Sequence, residues 1–69
     1  MARYFVGGVV LCCVPDGPLL RDHVYRVTAV HDLPNAYLEL VVQDLFDRSA
    51  PELTGGAWQF EPYRLPVFV

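Results

Sequence analysis

Leu19-Leu20-Arg21-Asp22-His23-Val24-Tyr25-Arg26-Val27 reads as a tight turn opening into a strand. Half the chain away stands Trp58-Gln59-Phe60-Glu61-Pro62-Tyr63-Arg64-Leu65-Pro66-Val67, which reads as a short strand, a turn and a closing strand. From His23 to His31 the residues alternate. Tyr25, Val27 and Ala29 share one face; Val24, Arg26, Thr28 and Val30 share the other. Arg26 and Thr28 prefer water, so the Tyr25-Val27-Ala29 face is expected to be the core face.

Outward from this strand, Gly and Pro fall at intervals suited to short strands. Residues 9–14 form a continuous apolar run rich in β-branched side chains, between Gly7-Gly8 and Pro15-Asp16-Gly17-Pro18. It is expected to be a strand buried on both faces or paired across an interface. Residues 15–22 form a loop of turn-forming residues. After the second strand, Asp32-Leu33-Pro34-Asn35 is expected to turn the chain. Residues 37–42 then form a third strand with Leu38, Leu40 and Val42 inward. Residues 43–56 are the least regular part, with Leu45 and Phe46 extending that strand or pinning the loop to the core. Residues 57–60 are expected as the fourth strand, 62–65 as a single 3₁₀ turn, and 66–69 as a closing edge strand, where an initial Pro is tolerated.

Leu11-Cys12-Cys13-Val14, then Leu19 through Val27, then Trp58 through Val67, resemble in order a group of small, mostly uncharacterised bacterial and prophage proteins with an SH3-like fold. Their pattern runs hydrophobic-x-Cys, a loop with small and acidic residues, Leu-x-x-Gly-x-x-Tyr-x-Val, and aromatic-x-x-x-x-Arg-Phe-x-Pro-Val. The resemblance covers most of the chain outside residues 43–56. Asp22 departs from it where a turn glycine is usual, which implies a tighter or differently shaped turn, and Leu65 stands in place of Phe. The resemblance implies an all-β fold: a small SH3-like five-stranded barrel with a 3₁₀ turn before the last strand, over residues 1–69. It also implies an origin in a mobile element. It carries no activity, because one fold hosts many functions.

Composition bounds the role. Sixty-nine residues allow one domain, and 54% of them are apolar and 13% aromatic. That is rich for a domain with so little interior. Either the core is dense or a partner covers apolar surface. Tyr4-Phe5-Val6 and Pro66-Val67-Phe68-Val69 put apolar residues at both ends, where unpaired strand edges would invite a second copy, so a homodimer is an expectation. The net charge is −3, from five Arg and eight acids. Scattered cations argue against generic nucleic-acid binding, which needs clustered ones. A nucleic-acid role would require Arg21, Arg26 and Arg64 on one face with Tyr25 or Tyr63. A role as an acidic inhibitor would require Asp44, Asp47, Glu52 and Glu61 to cluster.

The chemistry-bearing residues are few. Cys12 and Cys13 are neighbours on a strand and point to opposite faces, so a disulfide between them would be strained. For the same reason they do not converge on one zinc ion. A reducing cytoplasm is the expected compartment, with Cys13 as a small core residue. The apolar run from Tyr4 to Val14 is too short to span a bilayer and is followed by turn residues instead of a small-x-small cleavage pattern, so it is expected to be structural. Nothing in the spacing of Cys12, Cys13, His23 and His31 marks a nucleophile and its base. No catalysis, metal or cofactor is expected. The expected partner is a protein, met by exposed aromatics. Among Tyr4, Tyr25, Tyr37, Trp58 and Tyr63, the candidate contact residues are Tyr25, Trp58 and Tyr63, together with Arg64.

Overall fold

A computed structural model of the chain describes residues 3–34 and 37–64. It is all-β. The elements are β1 (Val9–Cys12), β2 (Val24–Leu33), β3 (Tyr37–Asp44), β4 (Leu53–Gly56), a 3₁₀ turn (Ala57–Gln59) and β5 (Phe60–Pro62). They make one antiparallel sheet in the order β4-β3-β2-β1-β5. β4 and β5 lie at opposite ends of that order, and among the described residues no ladder joins them.

The core lies on one face of the curled sheet. Tyr25 and Val27 are buried there, as the alternation requires, with Val10 and Cys12 of β1, Leu40 and Val42 of β3 and Phe60 of β5. Leu19 reaches in from the loop before β2. Pairing explains the set: Val10 faces Tyr25, Val27 faces Val42, and Cys12 faces Phe60 across their ladders. The T-shaped contact of Tyr25 and Phe60, with ring centroids 6.3 Å apart, joins the two halves of the chain.

Several expectations are corrected. The core thiol is Cys12, not Cys13, which is only half-buried. A run in which every residue is apolar has no phase, and the ladder to β2 supplies one. The Tyr25-Val27-Ala29 face does not continue through Ala29. Val27 pairs with Val42 and Ala29 with Val41, so Thr28 and Ala29 together oppose one residue. This β-bulge reverses the parity of β2, and Val30, opposite Leu40, packs on the core instead. The Thr28 hydroxyl fixes the bulge: it donates to Glu52 Oε2 at 2.6 Å and lies 3.2 Å from the Val41 carbonyl.

β3 runs two residues beyond the expected end, to Asp44, and residues 45–52 form turns. Phe46 does not pin that segment; its side chain is 80% exposed. The fourth strand is Leu53–Gly56, inside the segment expected to be irregular. Residues 57–60 are not a strand: Ala57–Gln59 is the 3₁₀ turn, and the last described strand is Phe60–Pro62. A 3₁₀ turn does precede that strand, but five residues earlier than expected. The expected closing strand at 66–69, and with it that end's share in a dimer, lies outside the described residues, as does Asn35 of the expected turn.

The turn at Asp22 is left-handed, with φ 63°. Asp adopts the conformation for which glycine is usual. The Asp22 amide donates to the Cys12 carbonyl at 2.8 Å and the His23 amide to the Leu20 carbonyl at 3.3 Å. The turn is therefore closed normally, and the residue carries the strain.

Candidate functional site

Trp58 is one of the large apolar side chains that the fold leaves in solvent. It sits in the middle of the 3₁₀ turn and is 66% exposed. The next residue ties the turn to its surroundings. Gln59 is buried, accepts the Gly56 amide proton on Oε1 at 2.8 Å, and donates from Nε2 to the Val14 carbonyl at 3.2 Å. The Gln59 carbonyl in turn receives the amides of Cys13 and Val14. A buried amide side chain with both ends used fixes its backbone. Trp58 thus stands on a turn anchored by Gln59, with its indole mostly in solvent.

Gly56 makes room for the ring. A Cβ there would meet Trp58 Nε1 at 2.5 Å and the Tyr37 hydroxyl at 2.6 Å. The pyrrole edge of the indole and the Tyr37 hydroxyl therefore close over the glycine backbone. Tyr37 pairs with Leu33 across the β2–β3 ladder, and both are partly exposed. Leu33, Tyr37 and Trp58 form an apolar strip along one corner of the sheet. Sequence reading singled out Trp58 and weighed Tyr37. Leu33 was read as part of a turn, and only the register reveals its place.

The other candidates separate. Tyr25 is 2% exposed; it is a core residue and leaves the candidate surface. Its hydroxyl accepts the Leu20 amide proton at 3.1 Å, which ties the 15–22 loop to β2. Tyr63 and Arg64 lie elsewhere, on a groove of about 320 Å³ that they share with Arg3, Tyr4 and Phe5. The Arg3 guanidinium stands 5.6 Å from the centre of the Tyr4 ring. Tyr4 is pinned by its hydroxyl, which donates to the Phe60 carbonyl at 2.8 Å.

Arg21, Arg26 and Arg64 are not gathered by any one feature. Arg21 donates to the Cys13 carbonyl at 3.2 Å, Arg26 stands between Val9 and Gln43 on the outer sheet face, and Arg64 lines the groove. The four acids considered above each have a local neighbour. Asp44 bonds His23, Asp47 holds Ser49, Glu52 accepts from Thr28, and Glu61 lies beside Cys13.

A second groove, about 220 Å³, runs between Pro18 and Leu20 on one side and Pro51 and Leu53 on the other. His23 and Asp44 form part of its wall, with Nε2 and Oδ2 2.6 Å apart. The His23 hydrogen bond, then the Phe46 amide, hold the Asp44 carboxyl below its ordinary range. Burial, then the neighbouring Cys13 thiol, push the Cys12 thiol up; burial and then Glu61 do the same for Cys13. Both shifts run opposite to the thiolate character that a nucleophile needs. Among the described residues no three His, Cys, Asp or Glu side chains are grouped to hold a metal ion. No helix there is long and apolar enough to cross a membrane.

Comparison with known proteins returned no matching family model, no matching curated protein and no matching solved structure.

Proposed function

We propose that this chain is a small, non-catalytic protein-binding module built on an SH3-like barrel, and that Trp58 anchors its contact face. The strand order β4-β3-β2-β1-β5, with a 3₁₀ turn between β4 and β5, supports the barrel reading. The display of Trp58 carries the functional one. A tryptophan left two-thirds in water loses the burial that would favour it in an isolated monomer. Held on a fixed turn, it loses little further freedom on meeting a partner, which is how aromatic anchors come to dominate binding energy. The strip of Leu33 and Tyr37 extends that anchor into an apolar contact surface, and the acidic balance of the chain suits a protein partner better than a polyanion.

Trp58 is the sole tryptophan of the chain, so its fluorescence reports on this face alone. The test is selection of binders from a displayed peptide library on the wild-type protein, with Trp58→Ala as the counter-target. Selected peptides shift Trp58 emission to the blue, and Trp58→Ala weakens them by about 30-fold or more, in line with an anchor worth ~2 kcal/mol. Binders that leave the emission unchanged and bind Trp58→Ala equally well refute the reading.

A further inference from the structure

The groove between the N-terminal arm and the end of β5 has an unusual charge. Two of the five arginines of the chain, Arg3 and Arg64, line it together with Tyr4, Phe5 and Tyr63. All eight acids of the sequence fall within the described residues, and none of them lines this groove. The nearest acid in sequence, Glu61, pairs with Leu11 on the outer face and lies beside Cys13. Among the described residues, a chain of net charge −3 thus has a concave site whose charged side chains are both positive. The rings give that site its apolar walls: Phe5 is largely exposed, Tyr63 is 38% exposed, and Tyr4 is fixed by its bond to Phe60. Val10 and Val27 close the floor.

We propose that this groove is a binding site for a small ligand carrying an oxyanion, phosphate or carboxylate, on an aromatic or aliphatic body. Guanidinium groups take oxyanions through parallel N–H donors, and flat rings offer stacking surface to the body of the ligand. The overall negative charge gives no long-range attraction to a polyanion. That limits the ligand to something that fits within about 320 Å³, the size of one nucleotide or one acylated amino acid. The groove is distinct from the Trp58 strip and its test does not depend on that strip.

The experiment titrates the full-length protein with adenosine monophosphate and, separately, with N-acetylphenylalanine, following backbone amide and arginine side-chain NMR signals. Adenosine and N-acetylphenylalanine amide serve as neutral controls. At least one anionic probe shifts the signals of Gly8, Tyr63 and the Arg3 and Arg64 side chains at concentrations up to about 5 mM, the weak end of specific binding. Its neutral counterpart binds ~10-fold or more weakly, and added salt weakens the anion further. Response to the phosphate probe alone assigns a phosphate ligand, response to the carboxylate alone a carboxylate, and response to both a general oxyanion site. The double variant Arg3→Gln/Arg64→Gln loses the binding, while Arg48→Gln, in the turn after β3 and outside the groove lining, keeps it. Both substituted groove arginines are exposed, so the amide spectrum of the double variant verifies that the fold persists. No shift with either anion, neutral controls that bind equally well, or binding retained in the double variant overturns the proposal.

Discussion

His23 Nε2 and Asp44 Oδ2 lie 2.6 Å apart, and the contact fastens the start of β2 to the end of β3. The other oxygen of the same carboxylate accepts the Phe46 amide proton at 2.8 Å. One side chain therefore holds both the exit of the 15–22 loop and the turn that follows β3. The Leu45 amide adds a bond to the Val24 carbonyl at 3.3 Å. This stapled end of the sheet forms part of the wall of the second groove, and the Asp44 carboxylate joins the two loops there.

The first prediction follows from that charge. In the folded protein the Asp44 carboxyl titrates below its ordinary range, first because of His23 and then because of the Phe46 amide. A carboxylate whose folded pKa is depressed stabilises the fold fully above its unfolded value, about 3.9, and loses that contribution as pH falls through the lower folded value. Asp44→Asn removes this dependence. Urea midpoints measured over a pH series are expected to show wild type more stable than Asp44→Asn at neutral pH, with the gap closing below about pH 4. A gap that stays constant into acid would mean that ionisation of Asp44 does not couple to folding.

The left-handed turn makes the second prediction. Asp22 holds φ 63°, a conformation that is costly for a residue with a Cβ and free for glycine. Asp22→Gly relieves that strain and adds freedom to the unfolded chain, two effects of opposite sign. Because Asp tolerates this region better than most residues, the net gain is small, between zero and about 1 kcal/mol. Asp22→Val, β-branched at the same angle, is expected to lose about 1–2 kcal/mol. Thermal melts of the three proteins should rank Gly, Asp, Val from most to least stable; Val equal to Gly would remove the strain argument.

Two neighbouring glycines should fail differently. A Cβ at Gly55 would meet Leu19 Cδ1 at 2.9 Å and Phe60 Cε2 at 3.0 Å, both core atoms. Gly55→Ala therefore overpacks the interior and is expected to lose about 1–3 kcal/mol. At Gly56 the Cβ would meet the pyrrole edge of the Trp58 indole and the Tyr37 hydroxyl, which belong to partly exposed side chains outside the core and can shift by a small change of rotamer. Gly56→Ala should leave stability nearly intact and change the fluorescence of Trp58. The prediction fails if denaturation curves of the two variants coincide.

Part of this was legible before any coordinates. Alternation in β2 identified Tyr25 and Val27 because polar Arg26 and Thr28 gave the pattern a phase. β1 had no such contrast, so Cys12 and Cys13 could be told apart only by pairing with β2 and β5. The bulge at Thr28, whose hydroxyl bonds Glu52 twenty-four residues away, leaves no local trace in β2. β4 was hidden because Leu53-Thr54-Gly55-Gly56 ends in two residues that usually mark loops. Its glycines are strand residues for a packing reason: Leu19 and Phe60 press on one, and Trp58 and Tyr37 cover the other. Trp58 was recognised as a candidate, but the device that displays it, a buried glutamine behind the turn, is a tertiary arrangement. The same holds for Arg3, which joins Arg64 across 61 residues of sequence.

Gln59 makes the last prediction, and it tests the display of Trp58 directly. Its side chain satisfies the buried Gly56 amide and reaches the Val14 carbonyl. Gln59→Leu keeps the volume and removes both bonds. A buried donor left without a partner costs about 1–3 kcal/mol, a large share of the stability of so small a domain. Gln59→Glu keeps an acceptor for Gly56 while replacing the donor toward Val14 with a carboxylate oxygen, which repels that carbonyl. It should fall at least as far as Gln59→Leu at neutral pH and recover in acid, where the protonated carboxyl can donate again. Urea denaturation at two pH values separates the cases. If both variants match wild type, the 3₁₀ turn is held by its backbone bonds alone, and Trp58 stands on a looser base than the Gln59 contacts imply.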